Sequence, residues 1–336
     1  MTKKISDVAQ FAGVSVATVR RVLNDKPGIS PATRASVLTA LDVFGLERPT
    51  RLRAENEPGG LVGLVVPDLQ NPIFPAMVEA LSIGLGKLGL MPVLCTRTAD
   101  GVSEANYIEL LLRRDVAGIV FIGASYADAG PEHGRELREQ KIPLVLLNAA
   151  DENDGIPRVS VDDAAAADQA IAHLTSLGHE RIGLILGPAG HVPSARKLGA
   201  YVRWQESVGG EQSWRDLVVH ANFSMEGGNA AAARLIAEGV TGLVCASDAL
   251  ALGALRAARR HGLTVPGELS VVGFDDSAYM VAVEPPLTTV RQPVRALGAA
   301  VIRLLNAQIT GHPVTGDEML FEPELIVRGS TGPRSK

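Results

Sequence analysis

The chain has 336 residues, 46% hydrophobic and 21% charged, with 35 Gly and 20 Pro, which is ordinary globular usage and enough length for two or three domains with buried cores. No apolar stretch of about 18 residues occurs, which excludes a membrane-spanning helix, and the start MTKKISDVAQFAG has no apolar signal-peptide region, so a cytoplasmic protein is expected. Charge is uneven: residues 1–56 hold nine Lys/Arg against five acids, a net of +4, and the remainder holds 23 against 32, a net of −9.

A basic head on an acidic body points to an anionic partner, most economically nucleic acid. Residues 1–46 read as three short helices. Ile5, Val8, Ala9 and Ala12 have helical spacing, Gly13 breaks the run, and Ser15 is a candidate N-cap for a second helix with Val19, Val22 and Leu23 on its apolar face. Ser30-Pro31 opens a third helix, which Val37, Leu38, Leu41 and Phe44 continue toward Gly45. Small Ala9, turn-forming Gly13 and packing Val19 have the roles a helix-turn-helix needs. Val16, Ala17, Arg20 and Arg21 then face away from the core, where Arg can read guanine and Val or Ala a thymine methyl. A plain three-helix bundle with a solvated Arg pair accounts for the same spacing.

Residues 47–60, ERPTRLRAENEPGG, read as a polar linker. Beyond it, short apolar runs recur at 61–66, 92–95, 118–122, 143–147, 181–186, 242–245 and 269–274, with Ala- and Leu-rich helical stretches between most of them. This alternation predicts βαβ units and parallel sheets. The pattern restarts after Val161, so two similar α/β lobes are expected, with a ligand cleft at the carboxyl ends of their strands.

Other chemistry finds little support. Gly84-Leu85-Gly86-Lys87-Leu88-Gly89 matches a dinucleotide fingerprint but follows a helical run instead of a strand. The two cysteines, Cys95 and Cys245, form no disulfide framework. The seven histidines (133, 173, 179, 191, 220, 261 and 312) have no metal-ligand spacing, and no catalytic triad is visible. No cofactor, metal or enzymatic activity is expected. A solute-binding protein would explain the core alone, and a nicotinamide-dependent enzyme would need the glycine motif elsewhere.

The segments ISDVAQFAGVSVATVRRVLN and GISPATRASVL resemble the DNA-binding head of the LacI/GalR repressors, and GLVVPDLQNPIFP, HLTSLGHERIGLILGP, CASDALALGALRAA and SVVGFDDSAYMVAVEPPLTTVRQP resemble later family segments in order. The resemblance implies a repressor with a helix-turn-helix head (1–46), a hinge (47–60) and a two-lobed, periplasmic-binding-protein-like core. Its lobes are expected at 61–161 plus 291–318 and at 162–290 plus 319–330. It implies DNA contacts from Ile5, Ser6, Ser15, Val16, Ala17, Thr18, Arg20, Arg21 and Asn24, with Arg51, Leu52 and Arg53 in the hinge. It implies effector contacts from Asp68, Phe74, Asn148, Arg196, Lys197, Phe223, Ser247 and Asp275, with Tyr126 and Tyr279 in nearby loops. The partners implied are palindromic operator DNA and a second copy, joined through helices near 76–88 and 249–258. No heptad tail follows Leu325–Val327, so a homodimer is expected. ERPTRLR, NPIFP and VPSARK are most similar to actinobacterial maltose-utilisation repressors, which implies maltose or a maltodextrin as effector. Three features depart from the family pattern: Arg20 replaces the usual Ser; the hinge holds Arg53 and Asn56 at the family's Ala…Leu wedge positions, with Arg48 inserted; and Lys197, beside Arg196, replaces an Arg.

Overall fold

The structure, a computed structural model, describes residues 5–23, 28–44, 60–96, 103–123, 142–149, 155–209 and 214–334. Asn24, Arg51, Leu52, Arg53 and Tyr126, with the linker up to residue 59, lie outside them.

The head contains α1 (Ile5–Phe11), α2 (Val16–Leu23) and α3 (Pro31–Val43). Gly13 makes the first turn at φ +64°, a backbone that favours glycine. Ser15 caps α2 by accepting from the Thr18 N–H at 3.1 Å, and Ser30 caps α3 by accepting from the Thr33 N–H at 3.1 Å. Val8, Ala9, Val19, Val22, Val37, Ala40 and Leu41 close a small core. At its margin the Phe11 and Phe44 rings meet edge to face, 5.6 Å between centroids.

The remainder has two sheets. The first contains β1 (Leu61–Val66), β2 (Met91–Thr96), β3 (Gly118–Ile122), β4 (Leu144–Leu147), β5 (Arg158–Val161) and β11 (Glu318–Phe321), in the order β11-β5-β4-β3-β1-β2. All of its pairings are parallel. Helices α4 (Ile73–Lys87), α5 (Glu104–Leu112) and α10 (Val294–Ile309) cover it. The second contains β6 (Ile182–Leu186), β7 (Val218–His220), β8 (Gly242–Cys245), β9 (Ser270–Asp275), β10 (Thr288–Arg291) and β12 (Glu324–Ile326), in the order β12-β10-β9-β8-β6-β7. Only β12 runs antiparallel. Its helices are α6 (Asp163–Ser176), α7 (Val192–Ser207), α8 (Met225–Ala237) and α9 (Asp248–Arg260).

The chain passes between the lobes after β5, after β10 and after β11. The last passage falls beyond Phe321, because β11 pairs with β5 along its whole length; the expected division at 318 is three residues early. The seven apolar runs are all strands. β5, β7, β10 and β11 lack such runs, because short strands carrying Arg, Ser, Thr, His or Glu do not produce an uninterrupted apolar pattern.

The Gly84–Gly89 run begins inside α4. A β-carbon at Gly84 would stand 2.6 Å from Ile302 Cγ1, so this glycine serves close packing of α4 against α10. His179 is engaged on both ring nitrogens: Nδ1 meets Thr241 Oγ1 at 3.0 Å, and Nε2 meets Ser270 Oγ at 3.0 Å and the Gly332 carbonyl at 3.1 Å. It ties the turn to the closing segment of the chain.

Candidate functional site

In the head, the buried stripe of α2 leaves Val16, Ala17, Arg20 and Arg21 exposed, as the helical spacing predicts. Ser15 Oγ and Thr18 Oγ1 lie 2.9 Å apart at the start of α2. Ile5 and Ser6 are exposed at the start of α1. The exposed end of α2 thus combines two guanidinium groups, two hydroxyls and two small apolar side chains, a set suited to phosphates and base edges.

Between the lobes of the core lies a cavity of about 540 Å³, its open mouth included. Of the expected contacts, Phe74, Asn148, Lys197, Phe223 and Asp275 line it. Phe74 comes from α4 of the first lobe and lies against Gly123, where a β-carbon would stand 2.6 Å from its ring. Phe223 comes from the loop before α8 of the second lobe and lies still closer to Gly187. Each lobe therefore seats one phenyl ring on a glycine just beyond the carboxyl end of a central strand, β3 or β6. The His191 ring meets Phe223 edge-on at 6.0 Å.

A polar chain lines the same cavity. Gln292, just past β10, donates to Asp275 Oδ1 at 2.6 Å and accepts from Asn148 Nδ2 at 2.7 Å. Asn148 in turn accepts from the Val161 N–H at 2.9 Å. Asn71 Nδ2 approaches Asp275 Oδ2 at 3.5 Å, across the lobes. Asn148 and Asp275 sit at φ +49° and +121°, backbone states that non-glycine residues adopt at a cost and that concentrate at ligand sites. Burial drives the Asp275 carboxyl well above the usual range, Asp248 adds to this, and Gln292, Lys197 and Asn71 oppose it. Neighbouring Asp276 turns away to pair with Arg291 at 2.7 Å and Arg328 at 2.5 Å.

Lys197 is buried, ion-paired with buried Asp163, and its Nζ lies 3.8 Å from the Phe274 ring centroid. Three expected contacts do not line the cavity. Asp68 accepts from the N–H groups of Gln70 and Asn71 at 2.8 and 3.1 Å and shapes its own loop. Ser247 caps α9, accepting from the Leu250 N–H at 3.2 Å. Arg196 forms a two-pronged pair with Glu318 of β11, at 2.9 and 2.6 Å, and so links second lobe to first. Burial raises the Glu318 carboxyl, but the Arg196 bonds, a Ser160 bond and the charges of Arg196 and Arg158 together outweigh it and hold it below the usual range. Sequence reading also passed over Asn71, Asp163, Ser194 and Gln292, which line the cavity. Asn71, Ser194 and Gln292 lie within the family-like segments NPIFP, VPSARK and VRQP, the one signal that could have raised them.

Tyr279 is 72% exposed and lines the open groove outside the cavity. Of the two helices expected at a dimer contact, α4 leaves Ile83 58% exposed, and the adjoining strand β2 leaves Met91 and Leu94 exposed. The 249–258 stretch of α9 buries Leu250, Leu255 and most of its Ala residues in its own lobe, leaves Ala249 and Leu252 half-buried and presents Arg256 to solvent. Among the described residues, no helix is long and apolar enough to cross a membrane.

Known proteins match the whole arrangement. Residues 4–45 match the family profile of bacterial regulatory proteins of the lacI family, and residues 171–331 match a periplasmic binding protein-like domain. The chain is 49% identical to the HTH-type transcriptional regulator MalR of Streptomyces coelicolor, over 98% of this chain and 97% of that protein. It is 31% identical to the HTH-type transcriptional repressor CytR of Escherichia coli K12, over 97% and 96%. Among solved structures it is similar to a transcriptional regulator CelR–cellobiose complex (TM-score 0.73, 30% identity, 98% and 99% of the two chains). It is similar also to the lac repressor dimer bound to operator and the anti-inducer ONPF (TM-score 0.73, 25% identity, 99% and 100%). These relatives are regulators and not enzymes, and a free solute-binding protein would leave residues 4–45 unexplained. The chain belongs to the LacI family and is a DNA-binding transcriptional regulator, with a helix-turn-helix head and a core of two largely parallel α/β lobes.

Proposed function

We propose that this regulator is a cytoplasmic, homodimeric repressor of sugar-utilisation genes, released from a palindromic operator by maltose or a short maltodextrin. The observation that carries the sugar is the Asn71–Asp275–Gln292–Asn148 chain in a cavity that two phenyl rings also line. Amide and carboxyl groups exchange hydrogen bonds with sugar hydroxyls, and a phenyl ring covers the C–H face of a pyranose. The 49% identity to MalR and the likeness to a cellobiose complex support a glucose disaccharide.

The ligand would touch groups of both lobes, and only its unequal affinity for two lobe arrangements can shift the protein away from DNA. In the head, Arg21 reads a guanine, Arg20 adds a phosphate or second base contact, and Ser15 and Thr18 hold phosphates. Residues 51–53 bind the minor groove, either by a Leu52 wedge or through Arg51 and Arg53. The dimer contact includes Ile83, Met91 and Leu94.

Calorimetry with maltose, maltotriose, cellobiose, ribose and a nucleoside tests the ligand, and a gel shift on the protein's own upstream DNA tests release. Binding of a nucleoside and no sugar overturns the sugar class. Binding of another sugar overturns only maltose.

A further inference from the structure

Ser194 lies in the first turn of α7, is 2% exposed and lines the cavity between the lobes. Its hydroxyl has no hydrogen-bond partner among the described residues. A helical serine ordinarily turns its hydroxyl back to a carbonyl three or four residues earlier, and this one does not. A buried hydroxyl without a partner is costly and calls for a reason.

Its surroundings supply one. Lys197 follows three residues later, on the same face of α7, and lines the same cavity. Its charge is answered by Asp163, which is 1% exposed. In the same cavity, Asp275, Gln292 and Asn148 have their side chains engaged with one another. Lys197 is therefore already neutralised, and Ser194 is the hydroxyl with both a donor and an acceptor to offer.

We infer that Ser194 is a specificity-determining contact, exchanging a hydrogen bond with one hydroxyl of an uncharged sugar, while the neutral Lys197–Asp163 pair beside it leaves phosphorylated sugars without a cation. This rests on the reading that the cavity binds a sugar.

The test is calorimetry on the full-length wild type and Ser194→Ala, with maltose, its monodeoxy analogues and glucose 6-phosphate beside glucose. Ser194→Ala should bind maltose about tenfold more weakly. One monodeoxy analogue should bind the wild type about tenfold more weakly than maltose, and Ser194→Ala should no longer distinguish the two. Glucose 6-phosphate should bind more weakly than glucose. The melting temperature of Ser194→Ala should equal or exceed that of wild type, and its operator affinity without sugar should be unchanged. Unchanged maltose affinity in Ser194→Ala, a loss of stability that accounts for its weaker binding, or preference for the phosphorylated sugar overturns the inference while leaving a sugar site intact. If the wild type binds none of the sugars, the reading of the cavity fails and this inference with it.

Discussion

The Phe223 ring lies so close to Gly187 that a β-carbon there would overlap it. Gly187 has no left-handed backbone, so the nearest obstacle to an alanine is the ring itself. Gly187→Ala should push Phe223 into the cavity and weaken sugar binding about tenfold or more, at a cost of about 1–3 kcal/mol in stability. Shortening the ring's reach with Phe223→Leu in the same protein should recover part of the stability. Calorimetry and thermal unfolding on the single and double variants check this; a single variant that binds sugar as tightly as wild type refutes it.

Asp275 accepts from Gln292 and stands close to Asn71, at the centre of the polar chain. Asp275→Asn keeps the shape but exchanges an acceptor for a donor. Sugar binding should weaken by about 0.5–1.5 kcal/mol, the range for a hydrogen bond between uncharged groups, and operator binding without sugar should stay within about twofold. A variant that loses both activities equally points to a folding defect instead of a ligand contact.

Arg21→Ala should cost about 1–3 kcal/mol of operator affinity and relax one base position in each half-site. Arg20→Ala, if Arg20 holds a phosphate, should weaken binding to all sequences alike and flatten the salt dependence. Binding measurements on a set of single-base operator variants at several salt concentrations separate the two roles.

Ile83 is exposed on α4, so Ile83→Glu should change monomer stability by no more than about 0.5 kcal/mol. It should nonetheless give a monomer by light scattering and a large loss of operator affinity, since one head reads only half a site. A stable dimer in this variant removes the α4 face from the interface.

Acid should reveal the second lobe's histidines. Burial, helped by nearby His179, lowers the His173 value below 6.5; burial also lowers that of His179, against the pull of the Gly332 carbonyl. As pH falls through 6.5 the unfolded chain takes up protons that the folded lobe refuses, so their stabilisation is full above about 6.5 and is lost on acidification. Asp248 acts oppositely: burial raises it to about 6, and the folded state binds its proton first. Between about pH 7.5 and 5.5, His173→Gln should lose less melting temperature than wild type and Asp248→Asn more. Three superimposable curves would contradict both assignments.

The head and the central strands were legible because their determinants are local. Ser15, Ser30 and Gly13 act within three residues of themselves, and a buried parallel strand is an apolar run wherever it is read. Phe74, Asn148, Lys197, Phe223 and Asp275 were reached through resemblance to a family, without which their residue types alone do not distinguish core from site. What only the tertiary structure decided is which polar groups meet. Asn71 and Asp275 are 204 residues apart, and Asn148 and Gln292 are 144 apart; the passages between the lobes bring them together. Adjacent Arg196 and Lys197 take different partners because a helix turns about 100° per residue, aiming one at Glu318 and the other into the cavity. Asp68 and Ser247 have the right chemistry for a ligand, but each is engaged by backbone N–H groups two or three residues ahead. Short polar side chains serve caps and ligands equally well, and the choice between the two is set by where the backbone turns.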